Sequence, residues 1–152
     1  MHKLFFLASI ALILGCNSEV VKNSETKTTL PILGRTIIEE NGDSTLHQVA
    51  DFSFVNQNND TITQSYLKEK ITVVDYFFTT CPSICPAMTA NMVDVQKKWK
   101  DNLKIQFLSH TVDPETDTPG KLNRFANKFG ADTTNWNFVT GNKEDLYEAG
   151  VN

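Results

Sequence analysis

The sequence lacks the features that would tie it to nucleic acid. Its net charge is −4 with a pI near 5.3, and Lys and Arg cluster nowhere beyond Lys97-Lys98-Trp99-Lys100. The basic footprint that phosphate backbones demand is therefore missing, and that short run fits the last turn of a helix, where cations suit the negative end of the dipole. No internal repeat is visible. The 152 residues leave room for one domain with a sizeable core but not for two of ordinary size. Cysteine and histidine are scarce, three of each, so each must be accounted for singly.

What is present begins with a targeting signal. Lys3 supplies a positive charge and residues 4–14 form an almost unbroken apolar run, too short to span a bilayer permanently. The run ends at Ile13-Leu14-Gly15-Cys16, which resembles the lipobox of bacterial lipoproteins. That resemblance implies cleavage before Cys16, acylation of Cys16 and a chain held on a membrane of the cell envelope, facing the periplasm or exterior. It leaves Cys81 and Cys85 as an even pair in a compartment that permits disulfides. The expected division is a signal peptide over 1–15, a membrane tether over 16–46 and one domain over 47–152.

The tether is rich in Ser, Thr, Asn, Glu and Lys, with Pro31 and Gly34 as breakers. The globular pattern starts near Val49. Phe52 and Phe54 alternate with polar neighbours, residues 56–60 make a turn cluster, and Thr61-Ile62-Thr63 returns as a second strand, predicting a hairpin. Residues 71–78 are apolar, β-branched and aromatic, the pattern of a central strand covered on both faces. Met88, Met92, Val95 and Trp99 then line one face of a predicted helix as core. A strand follows over 103–112. A second helix starts with Thr118 as N-cap and Pro119 at its first position, buries Leu122, Phe125, Ala126 and Phe129, and stops at Gly130. Residues 136–140 read as another strand, and Asn142 with Asp145 caps a last helix. Strands alternating with helices of this length predict parallel pairing in an α/β domain.

The chemistry concentrates in Thr79-Thr80-Cys81-Pro82-Ser83-Ile84-Cys85-Pro86, between a strand and the start of a helix, where a thioredoxin-like fold keeps its reactive thiols. The positive helix end favours thiolate. The i, i+4 spacing lets both sulfurs point the same way, to chelate one soft ion or to close a small disulfide. Two thiolates suit Cu(I), and a nitrogen donor from elsewhere would extend the site to Cu(II). A copper site drawn from Met88 and Met92 is a weaker reading than core packing. The acidic loop Asp113-Pro114-Glu115-Thr116-Asp117 reads as helix-start chemistry.

Phe77-Phe78-Thr79-Thr80-Cys81-Pro82-Ser83-Ile84-Cys85-Pro86 resembles the copper loop of the SCO/SenC proteins. Val112-Asp113-Pro114-Glu115-Thr116-Asp117-Thr118-Pro119 is similar to their VDPxxDTP segment. Asp51-Phe52-Ser53-Phe54 and Trp136-Asn137-Phe138-Val139-Thr140-Gly141 stand where that family has similar residues. The resemblance implies a thioredoxin-like domain, copper as the bound ion, Cys81 and Cys85 as thiolate ligands or a Cys81-Cys85 disulfide, and a role in maturing the copper centre of cytochrome c oxidase. The copper-bearing oxidase subunit or another copper chaperone is the implied partner. The family's third ligand is a histidine beyond the strand that residues 136–140 represent, and the sequence ends before it. His110 does not match that position and reads as structural, His47 is no better a candidate, and His2 leaves with the signal. A thioredoxin-like sheet ordinarily finishes with an antiparallel hairpin and a helix, so the chain is expected to be a fragment or a prematurely ended product, marginally stable and weak for Cu(II).

Two functions follow. The first is a metallochaperone, without turnover, that passes copper on. The second is a thiol-disulfide oxidoreductase acting on a partner's cysteines through a mixed disulfide. A thiol peroxidase fits less well, because Phe78 and Pro82 stand where such enzymes carry a Thr three residues before the reactive cysteine.

Overall fold

The computed structural model describes residues 31, 33–34, 36–46 and 48–151. The predicted signal, Cys16, His2 and His47 lie outside the described residues. Among the described residues, no helix is long and apolar enough to cross a membrane.

In the stretch read as tether, Ile37–Ile38 (β1) and Ser44–Thr45 (β2) pair antiparallel as a separate small hairpin. Asn41 turns its corner by accepting the Asp43 N–H at 2.9 Å, the side-chain-to-backbone bond that makes Asn a turn former.

The main sheet has five strands in the order β4-β3-β7-β6-β5. Ser53–Asn56 (β3) and Thr61–Thr63 (β4) form the predicted hairpin. Asn56 closes its turn, accepting N–H bonds from Asn58 and Asp60 at 2.9 Å each, while its amide donates to Asn137 Oδ1 at 2.8 Å. A buried polar side chain is thereby satisfied and ties hairpin to sheet. Ile71–Phe77 (β5), Ile105–Thr111 (β6) and Trp136–Thr140 (β7) run parallel, with Tyr76 opposite His110 and Ser109 opposite Phe138. β3 pairs antiparallel with β7.

β5, expected at the centre, is an edge strand among the described residues, while β6 and β7 are central and buried almost throughout. Ile71, Val74 and Tyr76 remain 61%, 47% and 40% exposed.

Three helices cover the sheet: Ile84–Lys98 (α1), Pro119–Phe129 (α2) and Lys143–Val151 (α3). One face packs Phe77, Phe107, Trp136 and Phe138 against Cys81, Cys85, Met92 and Val93 and against Leu122, Phe125 and Ala126 of α2. The other packs Phe54, Leu108 and Val139 against Leu146 of α3. The core stripe of α1 is Cys85, Thr89, Met92, Val93 and Gln96, rotated from the expected one, and Val95 and Trp99 are 43% and 46% exposed. Gln96 explains the rotation. It bonds the Asp132 carbonyl, the Asn135 side chain and the Asp132 N–H, so a polar residue takes a core position by being fully satisfied.

The helix ends follow the sequence closely. Gly130 ends α2 with φ of 69°, a left-handed position that glycine adopts without penalty. Asn142 Oδ1 accepts the N–H groups of Glu144 and Asp145 at 2.8 and 3.2 Å and caps α3. This mixed α/β layering is the thioredoxin-like class the sequence pointed to.

Candidate metal centre

β5 delivers the chain to one end of the sheet, where residues 78–83 bend into α1. Ser83 stands at the N-cap but makes no side-chain cap bond, so the first N–H groups of α1 need another acceptor. They find it in Cys81. Its N–H donates to the Phe78 carbonyl at 3.2 Å, which closes the turn, and its Sγ accepts the Cys85 N–H at 3.4 Å. Pro86 sits in the first turn, where its missing N–H costs nothing.

The two side chains bias each other's ionisation. The neighbouring Cys85 side chain, and then backbone N–H groups of Ser83, Cys85 and Ile84, favour the Cys81 thiolate and bring its thiol down to about 7. Burial, then the neighbouring Cys81 sulfur, pushes Cys85 above the ordinary thiol range. The pair is therefore asymmetric. Cys81 is substantially thiolate at neutral pH, and Cys85 keeps its proton until a metal or an electrophile takes the sulfur. Both are free thiols, 9% and 4% exposed.

A strut fixes the loop from below. Asp117 is fully buried and accepts the Thr79 N–H at 3.0 Å, the Thr79 hydroxyl, and the Thr111 hydroxyl at 2.5 Å. Thr111 Oγ1 in turn accepts the Asp113 N–H at 3.0 Å. The sequence favours helix-start chemistry for the acidic segment over a cation or partner site. Thr118 does hold the N-cap position, but its side chain makes no cap bond, and Asp117 spends its oxygens on the cysteine loop. Sequence reasoning missed this role because the two segments lie 38 residues apart. The only signal was the carboxylate beside a helix start that the N-cap did not need.

The histidine that sequence reading weighed and set aside stays out of the site. His110 is buried on the opposite face of the sheet, with the rings of Phe54, Tyr76 and Phe52 centred 5.4, 5.3 and 6.2 Å away. Its Nδ1 is buried without a hydrogen-bond partner among the described residues, and burial drops its pKa to about 4. Among the described residues no three His, Cys, Asp or Glu side chains gather to hold a metal. The local donor set is thus two sulfurs, a combination that suits a soft monovalent ion of low coordination number.

A second polar chain lies on the cysteine face, and sequence reading did not find it. Trp136 Nε1 donates to Ser109 Oγ at 2.8 Å, and Ser109 donates to Asp75 on β5. Burial raises the Asp75 carboxyl to about 6 against the lowering effect of that hydroxyl.

Comparison with known proteins places this geometry in context. The family model described as SCO1/SenC matches residues 40–151. The SCO1 protein homolog of Bacillus subtilis is 39% identical over 103 residues, covering 67% of this chain and 53% of that protein. A SCO1/SenC family lipoprotein from Bacillus anthracis superposes with a TM-score of 0.64 at 42% identity, over 68% of this chain and 64% of the other. BsSco, described as having a disulfide switch and as a member of the Sco family of cytochrome c oxidase assembly proteins, gives 0.62 at 38% identity, over 67% and 61%. ScoI of Bradyrhizobium japonicum, solved with copper bound, gives 0.60 at 26%, over 66% and 62%. The chain spans about half the length of the Bacillus subtilis relative and under two thirds of each structure.

Proposed function

The chain belongs to the SCO1/SenC family, and on that premise we propose that it binds Cu(I) between Cys81 and Cys85 and delivers it during assembly of the copper centre of cytochrome c oxidase. Copper is cargo here. The observation that carries the reading is the pair of buried free thiols at the start of α1, where the Cys85 N–H donates to Cys81 Sγ at 3.4 Å and the Cys81 thiol is brought down to about 7. One sulfur is ready to coordinate without prior loss of a proton, and the second follows as the ion displaces its proton. Relatives support the cargo and the pathway: one is solved with copper bound and another is described as an oxidase assembly protein. In this reading the copper-bearing oxidase subunit or another copper chaperone receives or supplies the ion. The domain works outside the cytoplasm, held to a membrane through acylated Cys16.

Titrating the reduced chain with Cu(I) against a chromogenic competitor tests the proposal. Near-stoichiometric binding is expected, lost in Cys81→Ser and in Cys85→Ser. Absence of binding in the unaltered chain would overturn it. Labelling with a fatty-acid analogue, abolished in Cys16→Ser, is the corresponding expectation for the anchor.

The same asymmetry supports a second reading, thiol-disulfide exchange. Cys81 as thiolate would attack a partner disulfide and Cys85 would resolve the mixed disulfide, in keeping with the disulfide switch described for a relative. A chain that fails to bind Cu(I) yet reduces a protein disulfide would favour it.

A further inference from the structure

Beside the cysteine loop lies a groove of about 310 Å³ lined by Thr79, Thr80, Phe125, Lys121, Arg124 and Lys128. Thr80 is the chain neighbour of Cys81, so this groove adjoins the cysteine loop. Its three charges are all positive. They come from α2, which over Pro119–Phe129 contains no acidic residue, in a chain whose net charge is −4. The spacing Lys121, Arg124, Lys128 follows i, i+3, i+7 and so places all three on one helix face, opposite the buried Leu122 and Ala126.

None of the three is neutralised by a salt bridge among the described residues. The ion pairs there are Lys97–Asp94 and Lys143–Glu115, so the exposed acid of the preceding loop, Glu115, is engaged by Lys143 instead. Lys128 rests over the Phe129 ring at 5.4 Å, and the Arg124 guanidinium lies back along the helix over Gly120. Phe125 gives the groove an apolar floor, itself fixed by Phe77 at 5.0 Å. An apolar floor with a charged rim is the make-up of a protein-protein contact.

We propose that this groove is the docking surface for a partner protein that presents acidic side chains around its own cysteines, steering them onto Cys81. The inference rests on the function proposed above, in which the pair exchanges copper or electrons with another protein. Like-signed charge gathered at one contact raises encounter rates by about 10- to 1,000-fold and is suppressed by salt. The buried Asp117 connects the groove to the chemistry, because it holds Thr79 to the segment that starts α2.

The test uses the full reduced chain and three synthetic peptides. Each carries one internal disulfide, flanked by Glu, by Lys or by Gln. The Cys81 thiolate attacks the peptide disulfide and releases one peptide thiolate, which takes up a proton. Cys85 then attacks the mixed disulfide, losing its proton to solvent, closes the Cys81-Cys85 bond and releases the second peptide thiol. Two electrons pass from the cysteine pair to the peptide. At low salt the Glu peptide is expected to react about tenfold faster than the Gln peptide and the Lys peptide more slowly than either, with the differences collapsing near 0.5 M salt. The triple variant Lys121→Glu, Arg124→Glu, Lys128→Glu should invert that order while leaving the Gln peptide unchanged, which also shows that it folds. Equal rates for the Glu and Lys peptides, with the Gln peptide reacting, would overturn this inference alone. A Gln peptide that leaves the thiols untouched would remove the exchange chemistry itself and this inference with it. Sedimentation with phosphatidylglycerol vesicles that depends on the three cations, without any preference among the peptides, would assign the groove to anionic lipid and overturn the protein partner.

Discussion

At the residue scale, the cysteine loop depends on a carboxylate that touches neither sulfur. Asp117 accepts from Thr79 twice and from Thr111 once while fully buried. Asp117→Ala leaves those donors without an acceptor in a dry site, which costs about 3 kcal/mol. The expected outcome is a matching loss of stability in urea together with a rise of the Cys81 thiol pKa, since the loop that presents Cys81 to the N–H groups of α1 loses its support. Alkylation rate against pH reads the second effect. Two other buried groups oppose one another on acidification. The His110 pKa falls from 6.5 to about 4, so as pH drops through that window the unfolded chain takes up a proton that the folded chain refuses, and up to about 3 kcal/mol of stability is lost. The Asp75 pKa rises from 3.8 to about 6, so the folded chain takes up its proton first and gains up to about 3 kcal/mol over nearly the same window. The two contributions oppose one another in the parent chain. Urea midpoints between pH 6.5 and 4 should therefore rise on acidification in His110→Phe and fall in Asp75→Asn, relative to the parent. Parallel profiles in all three chains would refute the pairing.

At the scale of elements, α1 offers a direct contrast between the stripe expected from spacing and the one observed. Met92 is 9% exposed and packs in the core cluster, whereas Val95 is 43% exposed. Met92→Ala should cost about 2–4 kcal/mol and Val95→Ala under about 0.5 kcal/mol, measured by thermal or urea unfolding. Gly130 makes a comparable point at the end of α2. Its φ of 69° makes Gly130→Ala destabilising by about 1 kcal/mol even though the space beside it is open.

For the whole molecule, local chemistry was legible and lateral order was not. The hairpin around Asn56, the strand over residues 136–140, the stop at Gly130 and the Asn142 cap could all be read directly, because each depends on neighbours within a few positions. So could the cysteine pair, whose spacing and place before a helix are local facts. The lateral order β4-β3-β7-β6-β5 could not be read, since strand order is settled by which segments pair across the sheet. The rotation of α1 depended on Gln96 finding partners 36 residues away, and the strut at Asp117 on a contact across 38. His110 lies among the rings of Phe54 and Tyr76. Polar residues that hydropathy patterns assign to the surface accounted for the rotated stripe and the missed strut, having become buried once satisfied by distant partners.

The strand that feeds the cysteine loop pairs with β6 on one side only among the described residues. The Ile71 N–H points toward β6, where it meets the Lys104 carbonyl at 2.8 Å, so the N–H groups of Thr72, Val74 and Tyr76 point the other way. Deuterium should enter this strand in a two-residue rhythm, slow at Val73, Asp75 and Phe77 and fast at the alternate amides. Those same open amides are a template for another strand. A strand laid along this edge, from the same chain or from another, should therefore slow the fast set first, so exchange at Thr72, Val74 and Tyr76 reports whatever comes to cover the approach to the thiols.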